Sequence, residues 1–234
     1  KNLSFGYITS NLSNEELVNE DFYIEIEKRK YPAWIILKPL IIGLKKITSR
    51  FEMNKTIAII PSRLKSSRLH EKALVDICGY PMIIHVLKRS LLAKNLDEVY
   101  VATDSKKIKE VVESHNGKVI LTSSHHLTGT DRIAEAAEKL DGEIIVNIQG
   151  DEALVNPNHI DKAVSVLHDN PSIPVSILVN EYKKTKLPSD IKVVLNEFND
   201  VMYFSREDIP SNSRTKNPPL LKAYHILPFR KDFL

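Results

Sequence analysis

Ile57-Ala-Ile-Ile-Pro-Ser-Arg-Leu-Lys-Ser-Ser-Arg-Leu-His-Glu-Lys-Ala73 is the stretch whose reading decides the fold. Residues 57–60 are wholly apolar, and Pro61 ends the run. Four basic residues, Arg63, Lys65, Arg68 and Lys72, follow within one loop. An apolar run bounded by proline reads as a buried strand. Open α/β sheets bind ligands in loops at the carboxyl ends of such strands. So many like charges repel one another unless an anion sits among them. Arginine offers phosphate oxygens a planar fork and lysine a mobile point charge, so a polyphosphate is the guest this loop suits. The loop has neither Gly-x-x-x-x-Gly-Lys-Ser/Thr nor Gly-x-Gly-x-x-Gly. That argues against a P-loop ATPase and a standard dinucleotide dehydrogenase.

Outward from this run, strands and helices alternate. Residues 56–60 are expected as strand. Residues 81–94 are expected as a helix with Met82, Val86, Leu87 and Ser90 on one face. A second strand spans 98–102. A helix over 105–115 follows, capped by Asp104 or Ser105, with Ile108, Val111 and Val112 inward and Gly117 just past its end. Strand 118–121, helix 131–140 capped from Thr130, strand 143–148 and helix 157–168 continue the pattern. Segments 176–179, 192–195, 201–204 and 221–227 are strand-like with less helix between them. The early alternation predicts an α/β fold with a doubly wound, mainly parallel, Rossmann-like sheet, and the later strands a small antiparallel insertion.

At 234 residues the chain holds one ordinary α/β domain and a smaller piece. A net charge of +3 is too small to argue for nucleic-acid binding or an anionic membrane partner. Cys78 is the single cysteine, which excludes an internal disulfide and fits a cytoplasmic location. Between Ile77 and Gly79 it is expected as a small buried apolar residue. Residues 1–52 differ in character and read as an amino-terminal extension or the remnant of an upstream domain, with 53–234 as the main domain. Within them, residues 28–50 are basic, apolar and Trp-bearing but interrupted by Lys38-Pro39. They fall short of the roughly 18–20 apolar residues of a membrane span. They suit either contact with a membrane surface or, the favoured reading, the packed end of an upstream domain. Both chain ends look cut.

The informative polar residues gather at strand ends: Arg63, Ser66, Arg68 and Lys72, then Thr103 and Asp104, then Thr128 to Arg132, then Gln149 and Asp151. A parallel sheet brings such ends to one rim. Asp151 follows a buried strand and Gly150, a position from which a carboxylate can hold Mg²⁺ beside a polyphosphate. The alternative there is an Asp that caps the next turn. His125 and His126 lack a third ligand at zinc-like spacing and are expected to be structural or surface residues. Thr128-Gly129-Thr130 can present hydroxyls and amides to a ribose or base, or cap a helix.

From Lys55 to Leu234 these motifs resemble the 3-deoxy-manno-octulosonate cytidylyltransferases, the CMP-Kdo synthetases. That family opens Pro-Ala-Arg-x-x-Ser-x-Arg-Leu-Pro-Gly-Lys-Pro-Leu, and this chain has Pro61-Ser-Arg63-Leu-Lys-Ser66-Ser-Arg68-Leu-His-Glu-Lys72-Ala-Leu74. Asp76-Ile-Cys-Gly79-Tyr-Pro81-Met82-Ile, Val101-Ala-Thr-Asp104, Thr128-Gly-Thr-Asp-Arg-Ile-Ala-Glu135 and Val146-Asn-Ile-Gln149-Gly-Asp-Glu152 follow in the family's order. So do Lys192-Val-Val and Tyr203-Phe-Ser-Arg206.

The resemblance implies a nucleotidyltransferase that transfers CMP from CTP to Kdo or a related acidic octulosonate with release of pyrophosphate, serves lipopolysaccharide or capsule synthesis, and uses Mg²⁺. It implies catalytic roles for Arg63, Arg68, Lys72 and Asp151, with Asp151 as metal ligand. Pro61, Ser62, Arg63, Ser66, Arg68 and Lys72 would hold the triphosphate. Thr103, Thr128, Gly129, Thr130, Asp131 and Arg132 would line the cytidine site, and Gln149, Lys192, Arg206 and His225 would face the sugar. The family's Pro-Gly is His70-Glu71 here, and Glu71 is expected to pair with Arg68 or Arg63 or to face water. The family's sugar-site histidine falls at Ala223, with His225 two residues on. A second metal-binding Asp and most of the homodimer-forming region are expected beyond Leu234, so the chain as it stands is expected to be truncated at its carboxyl end, and activity is expected of the complete protein whether or not this stretch is active alone. A transferase for a sialic-acid-like sugar and a non-catalytic nucleotide-binding module are the competing readings.

Overall fold

The computed structural model describes residues 22–26, 29–33, 55–64, 69–182, 187, 189–211 and 220–234. The chain divides into two units, Lys1–Glu52 and Met53–Leu234. In the first, β1 (Phe22–Ile26) pairs antiparallel with β2 (Arg29–Ala33). The rest of segment 28–50 lies outside the described residues, as do Lys65, Ser66 and Arg68. Among the described residues no helix is long and apolar enough to cross a membrane.

In the second unit the opening run becomes β3 (Thr56–Ser62). It is followed by a single 3₁₀ turn (Lys72–Leu74), the short β4 (Asp76–Ile77) and β5 (Tyr80–Pro81), and α1 (Met82–Ser90). Then come β6 (Glu98–Thr103), α2 (Lys106–Ser114), β7 (Lys118–Leu121), α3 (Gly129–Glu138), β8 (Ile144–Ile148) and α4 (Pro157–Asp169). The chain closes with β9 (Val179–Glu181), β10 (Lys192–Leu195), β11 (Val201–Ser205), β12 (Leu221–Ala223) and β13 (Ile226–Arg230). The main sheet has the order β13-β8-β3-β6-β7, and a four-stranded antiparallel sheet has the order β11-β10-β12-β9. In the main sheet only β13 runs antiparallel.

β3 reads as a continuous apolar run because both its faces are covered. Ala58 and Ile60 pack with Ile83, Ile84, Val101, Ile108, Val146 and Ile160. Ile57 and Ile59 face the other way, onto Ile133, Ala136 and Ala137 of α3. Helices therefore cover both sides of the sheet, as a doubly wound fold requires. On α2, Ser105 accepts the Ile108 N–H as N-cap, and Ile108 and Val112 are buried while Val111 is half-buried.

Some expected boundaries move, each for a local reason. α1 ends at Ser90, whose hydroxyl donates back to the Val86 carbonyl before the chain turns. α3 is capped by Thr128, not Thr130, because Asp131 returns the bond to the Thr128 N–H and closes a capping box. Strand 176–179 begins only at Val179, since the Ser176 hydroxyl donates to Ala163 of α4. Segment 221–227 is two strands in two sheets, with Tyr224 and His225 as the passage between them. Cys78 is exposed, not buried: it sits at the β4–β5 turn with φ +50°, where its side chain points to solvent.

Candidate active site

From β3 the chain steps outward to β6 and β7, then returns through α3 to β8 on the other flank of β3. The carboxyl ends of β3 and β8 thus form a topological switch point, where an open sheet leaves a crevice. Pairing shows where they separate. β3 follows β6 to Ser62↔Thr103, but follows β8 only to Ile59↔Asn147. Beyond Ile59 one edge of β3 is released, which admits Pro61 with its missing N–H. Gly150 closes the base of the crevice: a Cβ there would lie 2.7 Å from the Pro61 carbonyl oxygen. Only glycine permits that approach.

A cavity of about 330 Å³ opens at this point. Pro61, Ser62 and Arg63 enter it from β3, Lys72 and Ala73 from the 3₁₀ turn, and Gln149, Gly150 and Asp151 from the end of β8. Thr128, Gly129 and Arg132 enter from the start of α3, with His126, Leu127 and Met82 completing the wall. The Lys72 ammonium donates to the Asp151 carboxylate at 2.6 Å, with both side chains partly exposed. Glu71 precedes Lys72 in the left-handed region, φ 48° and ψ 37°, a conformation that favours the family's glycine. Among the described residues its carboxylate pairs with Lys107 of α2 at 2.5 Å, which lowers its pKa, while Arg68, an expected partner, lies outside the described residues. The substitution therefore directs its charge toward α2.

Other expected site residues are held by the fold itself. Arg132 is almost fully buried, and its guanidinium donates to Thr122 at 2.5 Å and lies 3.4 Å from Asp104. Thr103 is buried, and its hydroxyl accepts the Ser105 N–H. Asp131 is engaged in the capping box, which lowers its pKa, and neither it nor Thr130 is among the residues lining the cavity. His126 bonds to Glu135, whose carboxyl Lys139, His126 and the Ser123 N–H together hold at about 2. Among the described residues no group of three or more His, Cys, Asp or Glu converges as a metal cluster.

The residues expected at the sugar divide. Gln149 lines the cavity. His225 lies 3.7 Å from Glu152, which raises its pKa; Asp151 adds to that rise and Arg206 opposes it. Asp151, Glu152, His225 and Arg206 thus share one electrostatic neighbourhood. Lys192 does not reach the cavity: it is fully buried, and its ammonium donates to the carbonyls of Leu187 and Arg206 at 2.9 and 2.7 Å. Sequence reasoning missed Leu127, exposed at the cavity wall just before the α3 cap, and Glu152, although it adjoins Asp151.

A mainly parallel sheet with cationic side chains and a carboxylate at its switch point defines a nucleotide-binding α/β enzyme. Residues 57–234 match the family described as Cytidylyltransferase. The chain is 38% identical over 184 residues to the 3-deoxy-manno-octulosonate cytidylyltransferase of Escherichia coli, covering 78% of this chain and 75% of that one. It is 39% identical over 189 residues to the enzyme of that name from Syntrophus aciditrophicus, covering 78% and 76%. A solved CMP:2-keto-3-deoxy-manno-octonic acid synthetase complexed with CTP superposes with a TM-score of 0.74 at 37% identity, over 77% of this chain and 76% of that one. The chain belongs to the cytidylyltransferase family and, within it, to the 3-deoxy-manno-octulosonate cytidylyltransferases.

Proposed function

We infer that this chain transfers CMP from CTP to 3-deoxy-manno-octulosonate, or a close acidic sugar, and releases pyrophosphate. The observation that carries the reading is the gathering of Arg63, Lys72 and Asp151 in one switch-point cavity, in a chain so similar to a synthetase bound to CTP. Arg63 and Lys72, with Ser66 and Arg68 of the same motif, neutralise the triphosphate. The Lys72–Asp151 pair is partly exposed, and such pairs contribute little. Exchanging it for phosphate and metal partners therefore costs little.

Asp151 suits Mg²⁺, which commonly takes one or two protein carboxylates beside phosphate oxygens. When bound, the ion supplies neutralisation of phosphate charge. Thr128, Gly129 and the fixed Arg132 form the wall for the cytidine. Arg206, with Gln149 and His225, faces the sugar acid, where a guanidinium matches a carboxylate. The sugar's anomeric oxygen forms a bond to the α-phosphorus, the α–β bridging bond breaks, pyrophosphate leaves, and the hydroxyl proton passes to solvent. No protein nucleophile is needed, because positioning and electrostatics carry such transfers. The setting we assign is the cytoplasm.

Pyrophosphate release tests the reading, with CTP compared against UTP and GTP, and Kdo against a sialic acid, all with Mg²⁺. Release only with CTP and Kdo is expected. No release with that pair overturns the function, and preference for the sialic acid moves the substrate.

A further inference from the structure

The small sheet buries a charge that the cavity does not use. Lys192 on β10 has 0% side-chain exposure, and Asp208, beyond β11, has 7%. Their charged atoms lie 3.5 Å apart. Beside them the Tyr182 hydroxyl is buried, and burial and the nearby Asp208 raise its pKa. Neither Asp208 carboxylate oxygen has a hydrogen-bond partner among the described residues, and neither has the Tyr182 hydroxyl. A buried carboxylate without hydrogen bonds is a poor source of stability, since its desolvation is not repaid. A buried ammonium, however, requires a counter-charge.

The Lys192 ammonium meets that requirement with Asp208 and spends two hydrogen bonds on backbone, one of them to the Arg206 carbonyl. That bond fixes the backbone of Arg206, the residue set against the sugar acid in the proposed function. We propose that Asp208 is a positioning residue of the sugar-acid site: it pairs with Lys192 in the interior, and Lys192 fixes the segment that presents Arg206. The inference rests on Arg206 serving the sugar.

The test measures KM for CTP and for Kdo separately in the full chain. Asp208→Asn should raise the Kdo KM about tenfold, the scale of one charge-assisted hydrogen bond, and leave the CTP KM within about twofold. In an Arg206→Ala background the same change should add nothing. Lys192→Met combined with Asp208→Asn is the second arm. It leaves no unpaired buried charge, and such neutral replacements commonly fold. A purely structural role predicts normal Kdo KM in that folded double variant, whereas the proposal predicts the tenfold rise. An unchanged Kdo KM in the double variant overturns the proposal. So does a parallel rise in both KM values, or penalties that multiply with Arg206→Ala. If Arg206→Ala alone leaves the Kdo KM unchanged while CMP transfer continues, the proposal fails and the proposed function stands. If the unaltered chain does not transfer CMP, the proposed function fails first.

Discussion

In the main sheet, β3 is buried through Ile57, Ala58, Ile59 and Ile60, and both faces pack on apolar side chains, with the buried Asn147 beside Ile59 on one of them. In the four-stranded sheet, the largest fully buried side chain is Lys192, while Val201, Met202, Tyr203 and Phe204 along its edge strand β11 are exposed. One sheet follows the apolar-inside rule, and the other departs from it on both sides. The difference corresponds to the division of the site. The residues proposed for the triphosphate project from short ends of a close-packed sheet, which fixes charges to a narrow geometry. Arg206, proposed to meet the sugar acid, follows the edge strand of a sheet whose interior holds an ion pair. Substrate choice is thus assigned to the region whose shape is set by a few polar contacts.

Asp151→Asn probes the triphosphate side and has the largest expected effect. Loss of the carboxylate should lower kcat/KM by about a hundredfold or more, several kcal/mol of transition-state stabilisation. It also removes a negative charge beside the triphosphate and frees Lys72 from its 2.6 Å partner. CTP binding without Mg²⁺, measured by calorimetry, should therefore hold or tighten while turnover collapses. Weakened metal-free binding would show that Asp151 mainly orders the loop.

Ile59→Ala comes next. It removes a fully buried side chain between β3 and α3, and such truncations cost about 2–5 kcal/mol. Chemical denaturation measures it directly. A cost below about 1 kcal/mol would mean that the crevice relaxes around the gap and that the main sheet is softer than its packing implies.

The same contrast explains what the sequence made legible. β3 and β8 were readable because burial on both faces leaves near-continuous apolar runs, and β6 and β7, which keep half-buried or exposed positions, because they alternate with helices. The α2 cap was readable to within one residue, Asp104 or Ser105, because either can cap an amphipathic run, and the Ile108 N–H goes to Ser105. Arg63, Lys72 and Asp151 were readable because the topology brings strand ends to one rim. The α3 cap was read at Thr130, and only the reciprocal bond of Asp131 moves it to Thr128. Residues 221–227 kept a strand pattern while crossing between sheets, so no local signal marked the break. Lys192 was read as a sugar contact from the family motif. Its actual partners are carbonyls 5 and 14 residues away, set by the antiparallel folding of the insertion and not by any pattern in β10. The Glu71–Lys107 pair spans 36 residues and was equally out of reach.

The smallest expected effect is at Met202, the counterpart of Ile59 on the exposed edge strand. Met202 is 66% exposed on β11, so truncation removes little buried surface and leaves no cavity. Met202→Ala should change stability by no more than about 0.5 kcal/mol, the usual range for surface positions, with KM for both substrates unchanged. Denaturation beside Ile59→Ala makes the comparison direct. A ratio near one between the two truncations would mean that β11 is covered in the working protein and that the small sheet buries apolar surface after all. A large ratio keeps the two sheets distinct: one packed on both faces, the other with an apolar edge strand open to solvent.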